Sequence, residues 1–305
     1  MVSTLKLHIL GCFAATPKTM THPTAQVLEI RNQLFLIDCG EGTQVEMRRN
    51  NIRFARINRI FISHLHGDHF FGLPGLITTF RLLGREKELH IYGPVGIKEG
   101  ITLLLKLGQS WTNYPLIFHE LSSDKPECIF EDDKVKVVTI PLNHRIYTNG
   151  YLFSEKPAER KLNIEAVRTL GIDKAYFQKI KNGQDVTLED GTIIQNRELT
   201  FDPPPPKRYA YCSDTAYDPR IVPQLKGVDI LYHEATFLDS EEELTSKTGH
   251  STARQAAMVA RDAAVGTLML GHFSTRYKSL DPFLKEAREI FPGVVLAEEG
   301  KVYEF

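Results

Sequence analysis

Cysteine is scarce in this chain, and Cys12, Cys39, Cys128 and Cys212 are scattered with no CxxC pair among them. That spacing excludes a disulfide framework and a cysteine-built zinc knuckle, and it predicts free thiols in a reducing cytoplasm. Long apolar runs are missing too. No stretch approaches the roughly 20 residues that a membrane-crossing helix needs, so no membrane partner is expected. The opening residues, MVSTLKLHILGCF, lack the charged start, long apolar middle and small-residue end of a secretory signal. Charge of one sign is also lacking. The 37 Lys and Arg against 38 Asp and Glu exclude a generic polyanion binder, and any RNA affinity must come from local patches. No repeat at a period of tens of residues is evident, which excludes a solenoid. The rest, 42% hydrophobic and 25% charged over 305 residues, suits one large globular domain, or one with an insertion.

What the chain does have is histidine in one place. Residues 58–75 read NRIFISHLHGDHFFGLPG. Ile60, Phe61 and Ile62 have the apolar, β-branched character of a buried strand. His64, Leu65, His66, Gly67, Asp68 and His69 follow, three imidazoles and a carboxylate in a row of six. Zinc-type ions take neutral imidazole and carboxylate ligands. His64 and His66, two apart on a chain leaving a strand, can point the same way. Asp68 and His69 come a turn later and can reach a second ion, with Gly67 allowing the bend. A structural zinc site closes at four ligands and favours cysteine. This cluster has no cysteine and, with the partners below, more ligands than one ion takes.

Strands are expected around residues 5–9, 25–30 and 34–38, then a turn at Gly40–Gly42 into a helix near Gln44–Arg49. Asp38 and Glu41 either ligate metal or hold the loop around the histidines. Arg48, Arg49, Arg53, Arg56 and Arg59 form a basic run, which meets phosphates or faces solvent. A helix to about Leu83, a strand at Leu89–Tyr92 and a helix entered by Pro94 follow. Strands near 116–120, 128–131 and 135–140 come next, the last leading to His144. Residues 155–206 differ in character: two short helices, Asn163–Leu170 and Lys174–Lys181, then the stiff run Pro203–Pro206. They read as an insertion projecting from the core, the alternative being a helical hairpin packed flat on it. Beyond, strands lead into Asp214, into His233 and Glu234, and into His272. The alternation predicts a layered α/β sandwich, two sheets with helices outside. Five polar loops thus begin where strands end, the usual gathering place of ligands in such folds. Thr252 and Gln255 fit a capping box and place His250 just before a helix N-terminus. That end is positive and disfavours imidazolium unless a carboxylate stands beside it.

HxHxDH after an apolar strand resembles the metallo-β-lactamase superfamily. HLHGDHFFGLPG, with GEGTQ, SDT, HEATF, HSTARQAA and HFSTRY, is similar to its ribonuclease Z branch, the tRNA 3′-end endonucleases, over most of the chain. The resemblance implies a four-layer αββα sandwich, a single domain over 1–305 with an inserted arm at 155–206 as candidate tRNA-binding exosite. It implies two Zn2+ ions per chain, one on His64, His66 and His144, the other on Asp68, His69 and His272, with Asp214 bridging. Two such ions polarise a phosphoryl oxygen and activate water. Asp68 ligates and also accepts the water's proton. His250, paired with Glu234, protonates the leaving 3′-oxygen, while His233 is structural. Ser274 and Arg276 are candidate phosphate contacts, the alternative for Arg276 being a salt bridge. The implied function is removal of the 3′ trailer from precursor tRNA, leaving a 3′-hydroxyl, by a cytoplasmic homodimer. The alternative is a two-zinc phosphodiesterase of the same superfamily with a small substrate. Two parts of the family pattern are absent: residues 16–24 read TPKTMTHPT without the usual Arg-Asn, and the arm's GIDKAYFQKIKNG has no proline.

Overall fold

Strands that are apolar on both faces decide the layering. In strand Gln33–Ile37, Phe35 and Ile37 enter one buried cluster while Leu34 and Leu36 enter another. Strand Ile57–Phe61 repeats the division, Phe61 on one side and Ile57 and Ile60 on the other. A strand patterned this way needs cover on both faces, which a parallel sheet between layers provides. The computed structural model describes residues 5–188 and 190–305, and it divides into two compact units, residues 155–206 and the main body.

The body has two seven-stranded sheets. In the first, Gln33–Ile37, Ile57–Phe61, Leu89–Pro94 and Leu116–Leu121 run parallel, with Lys6–Gly11, Ala25–Ile30 and Val302–Glu304 antiparallel at one edge. In the second, Arg208–Cys212, Ile230–Glu234, Thr267–Gly271 and Val294–Leu296 run parallel, and Asn149–Glu155 joins antiparallel. The inner faces meet in one core containing Leu7, Phe35, Phe61, Phe153, Tyr209 and Tyr232. Each of these large side chains contributes about 2 kcal/mol by leaving water. Helices Leu73–Leu82 and Ile97–Leu107 cover the first sheet through Leu76, Phe80, Ile101 and Leu105. Helices Ala253–Asp262 and Asp281–Arg288 cover the second through Ala256, Ala260, Phe283 and Ala287. The result is the expected αββα order.

Three tyrosines of the second sheet reach across the apolar core to polar groups of the first. Tyr151 donates to the Ile62 carbonyl at 2.6 Å, Tyr211 to the Asp38 carboxylate at 2.6 Å, and Tyr209 to the Gln26 side chain. Buried hydroxyls need such partners, so the contacts also fix how the sheets register. The Asp-Cys-Gly turn after Ile37 is laced to the histidine loop by backbone bonds from Cys39 N–H to the His69 carbonyl, 2.7 Å, and from Gly72 N–H to the Cys39 carbonyl, 2.9 Å. The approach is close enough that a Cβ on Gly72 would lie 2.1 Å from the Gly40 carbonyl oxygen. Here the GEGTQ and GLPG motifs are two sides of one contact.

Several boundaries differ from the sequence reading. Pro94 ends its strand, and the following helix starts at Ile97 behind Gly96, whose φ of 99° suits glycine alone. His233 and Glu234 are the last strand residues, since pairing with Leu270 and Gly271 carries the strand two positions further. Four of the five arginines in the run are engaged, Arg49 with Glu46, Arg56 with Glu29, and Arg48 and Arg59 over Phe54 and Phe130, while Arg53 is exposed.

Residues 155–206 have their own small core of Leu162, Val167, Ile172, Ile180, Val186, Ile194 and Leu199. Helix Ile164–Thr169 is capped by Asn163, and the second helical stretch, Lys174–Tyr176 continuing as Phe177–Lys181, begins at Asp173. The sequence reading missed two short strand pairs, Lys161–Leu162 with Thr200–Phe201 and Val186–Thr187 with Ile193–Ile194. Two-residue strands carry no readable period; buried Asn196, donating to the Ile180 and Gln184 carbonyls, ties them in place. Phe177 packs against this core, whereas the neighbouring Tyr176 is exposed.

Candidate metal centre and active site

Strands of both sheets deliver their following residues to one place. His64, His66, Asp68 and His69 follow strand Ile57–Phe61, and His144 follows Val135–Pro141. Asp214 follows Arg208–Cys212, and His272 follows Thr267–Gly271. Asp38, Asp214 and His272 sit at φ of 55°, 56° and 56°. Left-handed backbone costs a residue other than glycine roughly 1–3 kcal/mol, and Asp and His are among the types that tolerate it best. Each turns sharply out of its strand and so aims its side chain into the shared site.

The ligand atoms fall into two sets. His64 Nε2 lies 3.0 Å from His66 Nδ1 and 3.5 Å from Asp214 Oδ2, and His144 Nε2 lies 3.4 Å from that same His66 nitrogen. His69 Nε2 lies 3.4 Å from His272 Nε2, 3.5 Å from Asp68 Oδ2 and 3.0 Å from Asp214 Oδ1. Ligands about 2 Å from a tetrahedral ion stand about 3.3 Å from one another, so both sets fit a divalent metal. Asp214 turns one oxygen to each set, as a bridging carboxylate does. A third combination, Asp214, His250 and His272, also converges. His250 is not counted as a ligand, because its Nδ1 is already 2.8 Å from Glu234 Oε1.

The ring nitrogens turned away from the two ligand sets are held individually. His69 Nδ1 donates to Asp38 Oδ2 at 2.7 Å, and His144 Nδ1 to the Gly249 carbonyl at 2.8 Å. His272 Nδ1 meets Thr236 Oγ1 at 2.9 Å, and His64 Nδ1 meets Ser63 Oγ at 3.0 Å. These bonds set each tautomer so that the opposite nitrogen presents its lone pair. Asp38 is therefore a support for the loop; it also accepts from Ser63 N–H, Ser63 Oγ and Tyr211. Glu41 is exposed and has no part in the site. Burial opposes charge on His69, but the Asp214 and Asp38 carboxylates override it and raise its pKa well above the ordinary value. Burial likewise works against the Asp214 carboxylate, and His272, His69 and His64 hold its pKa well down.

Glu234 is fully buried and accepts five hydrogen bonds: from His250 Nδ1, from the N–H groups of Thr215, Ser251 and Thr236, and from Thr236 Oγ1. Thr252 and Gln255 form the reciprocal capping box that starts helix Ala253–Asp262 and fixes His250 in front of it. Burial disfavours the His250 imidazolium, but the Glu234 carboxylate outweighs that and the pKa is pushed up to about 9. With Nδ1 engaged, Nε2 remains to serve the cavity that His250 lines together with Asp68, Asp214 and His272. That cavity is about 380 Å³ and is bordered by Ala14, Thr16 and Ser274 as well. Arg276 is not among the lining residues, but its Nε donates to Ser274 Oγ at 3.2 Å while its guanidinium lies 3.0 Å from Glu241 and over the Phe237 ring. His233 is buried and its Nδ1 bonds the Glu234 carbonyl, a structural placement.

Sequence reasoning passed over Ser63 and Thr236, whose hydroxyls orient ligands, because single hydroxyls carry no spacing signal. Thr236 does lie inside HEATF, two residues after Glu234, and that adjacency was the available clue. Asp38→Asn would replace an acceptor of four hydrogen bonds with a group that also donates. The expected outcome is a folded protein whose divalent-ion affinity at the His69 set falls about 10–100-fold, measured by titration against a competing chelator. Unchanged affinity would show that Asp38 serves the fold alone.

A sequence family described as the β-lactamase superfamily domain matches residues 179–273, and one described as the anti-Pycsar protein Apyc1 matches residues 5–124. Ribonuclease Z of Bacteroides fragilis is 47% identical over 295 residues, 97% of either chain. Ribonuclease Z of Porphyromonas gingivalis is 46% identical over 298 residues, 98% of either chain. Among solved structures, the short form of human tRNase Z is similar with a TM-score of 0.71 and 26% identity, covering 98% of both chains. The chain belongs to the ribonuclease Z family, hydrolytic endoribonucleases of the metallo-β-lactamase superfamily.

Proposed function

We propose that this protein is a zinc-dependent endoribonuclease that removes the 3′ trailer from precursor tRNA in the cytoplasm. The observation that carries the reading is the buried Glu234–His250 pair, set at 2.8 Å beside two sets of metal-ligand atoms in one cavity. The relatives' names supply the substrate class. Zinc suits the donors, all imidazole nitrogen and carboxylate oxygen with no cysteine. Two ions are proposed per chain, one on His64, His66 and His144, the other on Asp68, His69 and His272, joined by Asp214. When bound, such ions polarise a phosphoryl oxygen and acidify water.

The chain's own residues handle the protons. A water oxygen forms the new bond to phosphorus as the bond from phosphorus to the 3′-oxygen breaks. Asp68, held ionised against burial by His272 and His69, accepts the water's proton. His250 Nε2 delivers one to the departing 3′-oxygen, leaving a tRNA 3′-hydroxyl, and Glu234 stabilises the histidine before and after. Ser274 offers a hydroxyl in the cavity wall. Arg276 reaches phosphate only by leaving Glu241. Lactam or ester hydrolysis has less need of so strongly supported an acid.

Residues 155–206 are proposed as the tRNA exosite. Lys161, Arg168 and Lys174 are exposed on this unit, and Tyr176 adds a partly open ring. Cations placed on a folded body contact phosphates by shape, without reading sequence. A homodimer is proposed as well, since Leu82, Leu83, Leu103, Leu107 and Trp111 are exposed on and beside the helices that cover the first sheet.

Four measurements test these points. Elemental analysis is expected to find two zinc ions per chain in the parent and in His250→Ala. That variant should lose turnover on RNA by about 10²–10⁴, and much less on a p-nitrophenyl diester, whose leaving group needs little protonation. Equal losses on both substrates would remove His250 from the role of acid. For the exosite, the facing strands Lys161–Leu162 and Thr200–Phe201 close the unit. Replacing 160–201 by a short Gly/Ser linker should raise KM for precursor tRNA strongly and spare the small diester. For the dimer, Leu107→Glu should convert a two-chain sedimenting species to one chain; a parent that already sediments as one chain refutes it.

A further inference from the structure

Among the described residues that line the active-site cavity, Arg145 is the one lysine or arginine. It follows ligand His144, whose ring is tied to the Gly249 carbonyl at 2.8 Å. The Arg145 stem lies along the same segment, its Cγ 3.6 Å from where a Cβ of Gly249 would stand. His250 comes next in that segment, so the Arg145 stem starts at a proposed metal ligand and runs beside the residue that precedes the proposed acid. Arg145 is exposed and makes no hydrogen bond or ion pair among the described residues. Arg276, the cation expected at the phosphate from sequence, is instead engaged by Glu241 and lies outside the cavity wall.

Charge gives this placement a direction. Two divalent ions bring four positive charges to a ligand set with two carboxylates, Asp68 and Asp214. The surplus of two already matches one phosphodiester together with the hydroxide formed from the attacking water. A further unpaired cation on the same wall is of no use to a small diester, but it matches a strand that presents a second phosphate nearby. A guanidinium is also the group that grips phosphate through two parallel hydrogen bonds.

We propose that Arg145 binds a backbone phosphate of the RNA next to the scissile one, and thereby makes the cavity favour a polynucleotide over a small diester. The inference rests on the RNA reading given above and adds the residue that enforces it. Its test is KM for a 3′-extended tRNA transcript across a salt series, with bis(p-nitrophenyl) phosphate as the small substrate, in the parent, Arg145→Ala, Arg145→Lys and Arg276→Ala. Metal content of each variant, measured alongside, controls for folding. Arg145→Ala should raise KM for the transcript about tenfold or more, as loss of a charged hydrogen bond to phosphate does. Its loss on the small diester should be far smaller. The slope of log affinity against log salt should flatten by about one, the mark of one phosphate contact removed. Arg145→Lys should recover that slope while recovering KM only in part, because a point charge replaces a fork. Parent-like KM and slope in Arg145→Ala overturn the proposal, as do equal losses on both substrates. A flattened slope in Arg276→Ala and not in Arg145→Ala moves the contact to Arg276. A parent that hydrolyses the small diester but leaves the transcript whole overturns the RNA reading itself, and no variant is needed to see it.

Discussion

The site depends on one buried carboxylate that never meets the substrate. Asp38 leaves the first sheet in a left-handed turn and collects Ser63 N–H and hydroxyl, His69 Nδ1, and the Tyr211 hydroxyl from the second sheet. One side chain therefore joins both sheets and the histidine loop. Removing one of those donors leaves the buried carboxylate short of a hydrogen bond, at a cost of about 1.5–3 kcal/mol, a large part of a domain's margin of about 5–15 kcal/mol. The arrangement keeps the loop in place without a metal, so a divalent ion would meet ligands already facing one another.

Glu234 does for the acid what Asp38 does for the ligands. Its five donors leave it no freedom, and Thr236 passes the constraint on to His272. The metal set and the proposed acid are thus positioned by one network. This is why a change at either buried carboxylate is expected to act beyond its own contacts. Buried polar groups in a low-dielectric interior are strong when fully satisfied and costly when not, so the network behaves as a unit.

The strand ends explain how residues from positions 38 to 272 meet. Parallel strands point their carboxyl ends the same way, and the two sheets are packed so that both sets of ends open on one cavity. Backbone strain completes the aim. The left-handed turns at Asp214 and His272 each cost stability, and that cost is offset by apolar burial in the paired sheets beneath.

How much of this was legible in advance follows from the range of each signal. The alternation of Leu34, Phe35, Leu36 and Ile37, the run from His64 to His69, and the Thr252–Gln255 capping box are local patterns. Short-range physics alone makes a strand, a ligand cluster and a helix start of them, and the family motifs then linked the distant ligands. The sequence did not determine the length of strand Ile230–Glu234, since its last two pairs depend on a neighbour reached only after folding. It left open the fate of the arginines, because a guanidinium reads the same whether it meets Glu241, the Phe130 ring or solvent. Nor could it say that Arg145, unremarkable in NHRIYT, would stand in the cavity wall while Arg276 was engaged elsewhere. Those outcomes turn on which surfaces the packed sheets bring within a few ångströms, and only the tertiary structure decides that.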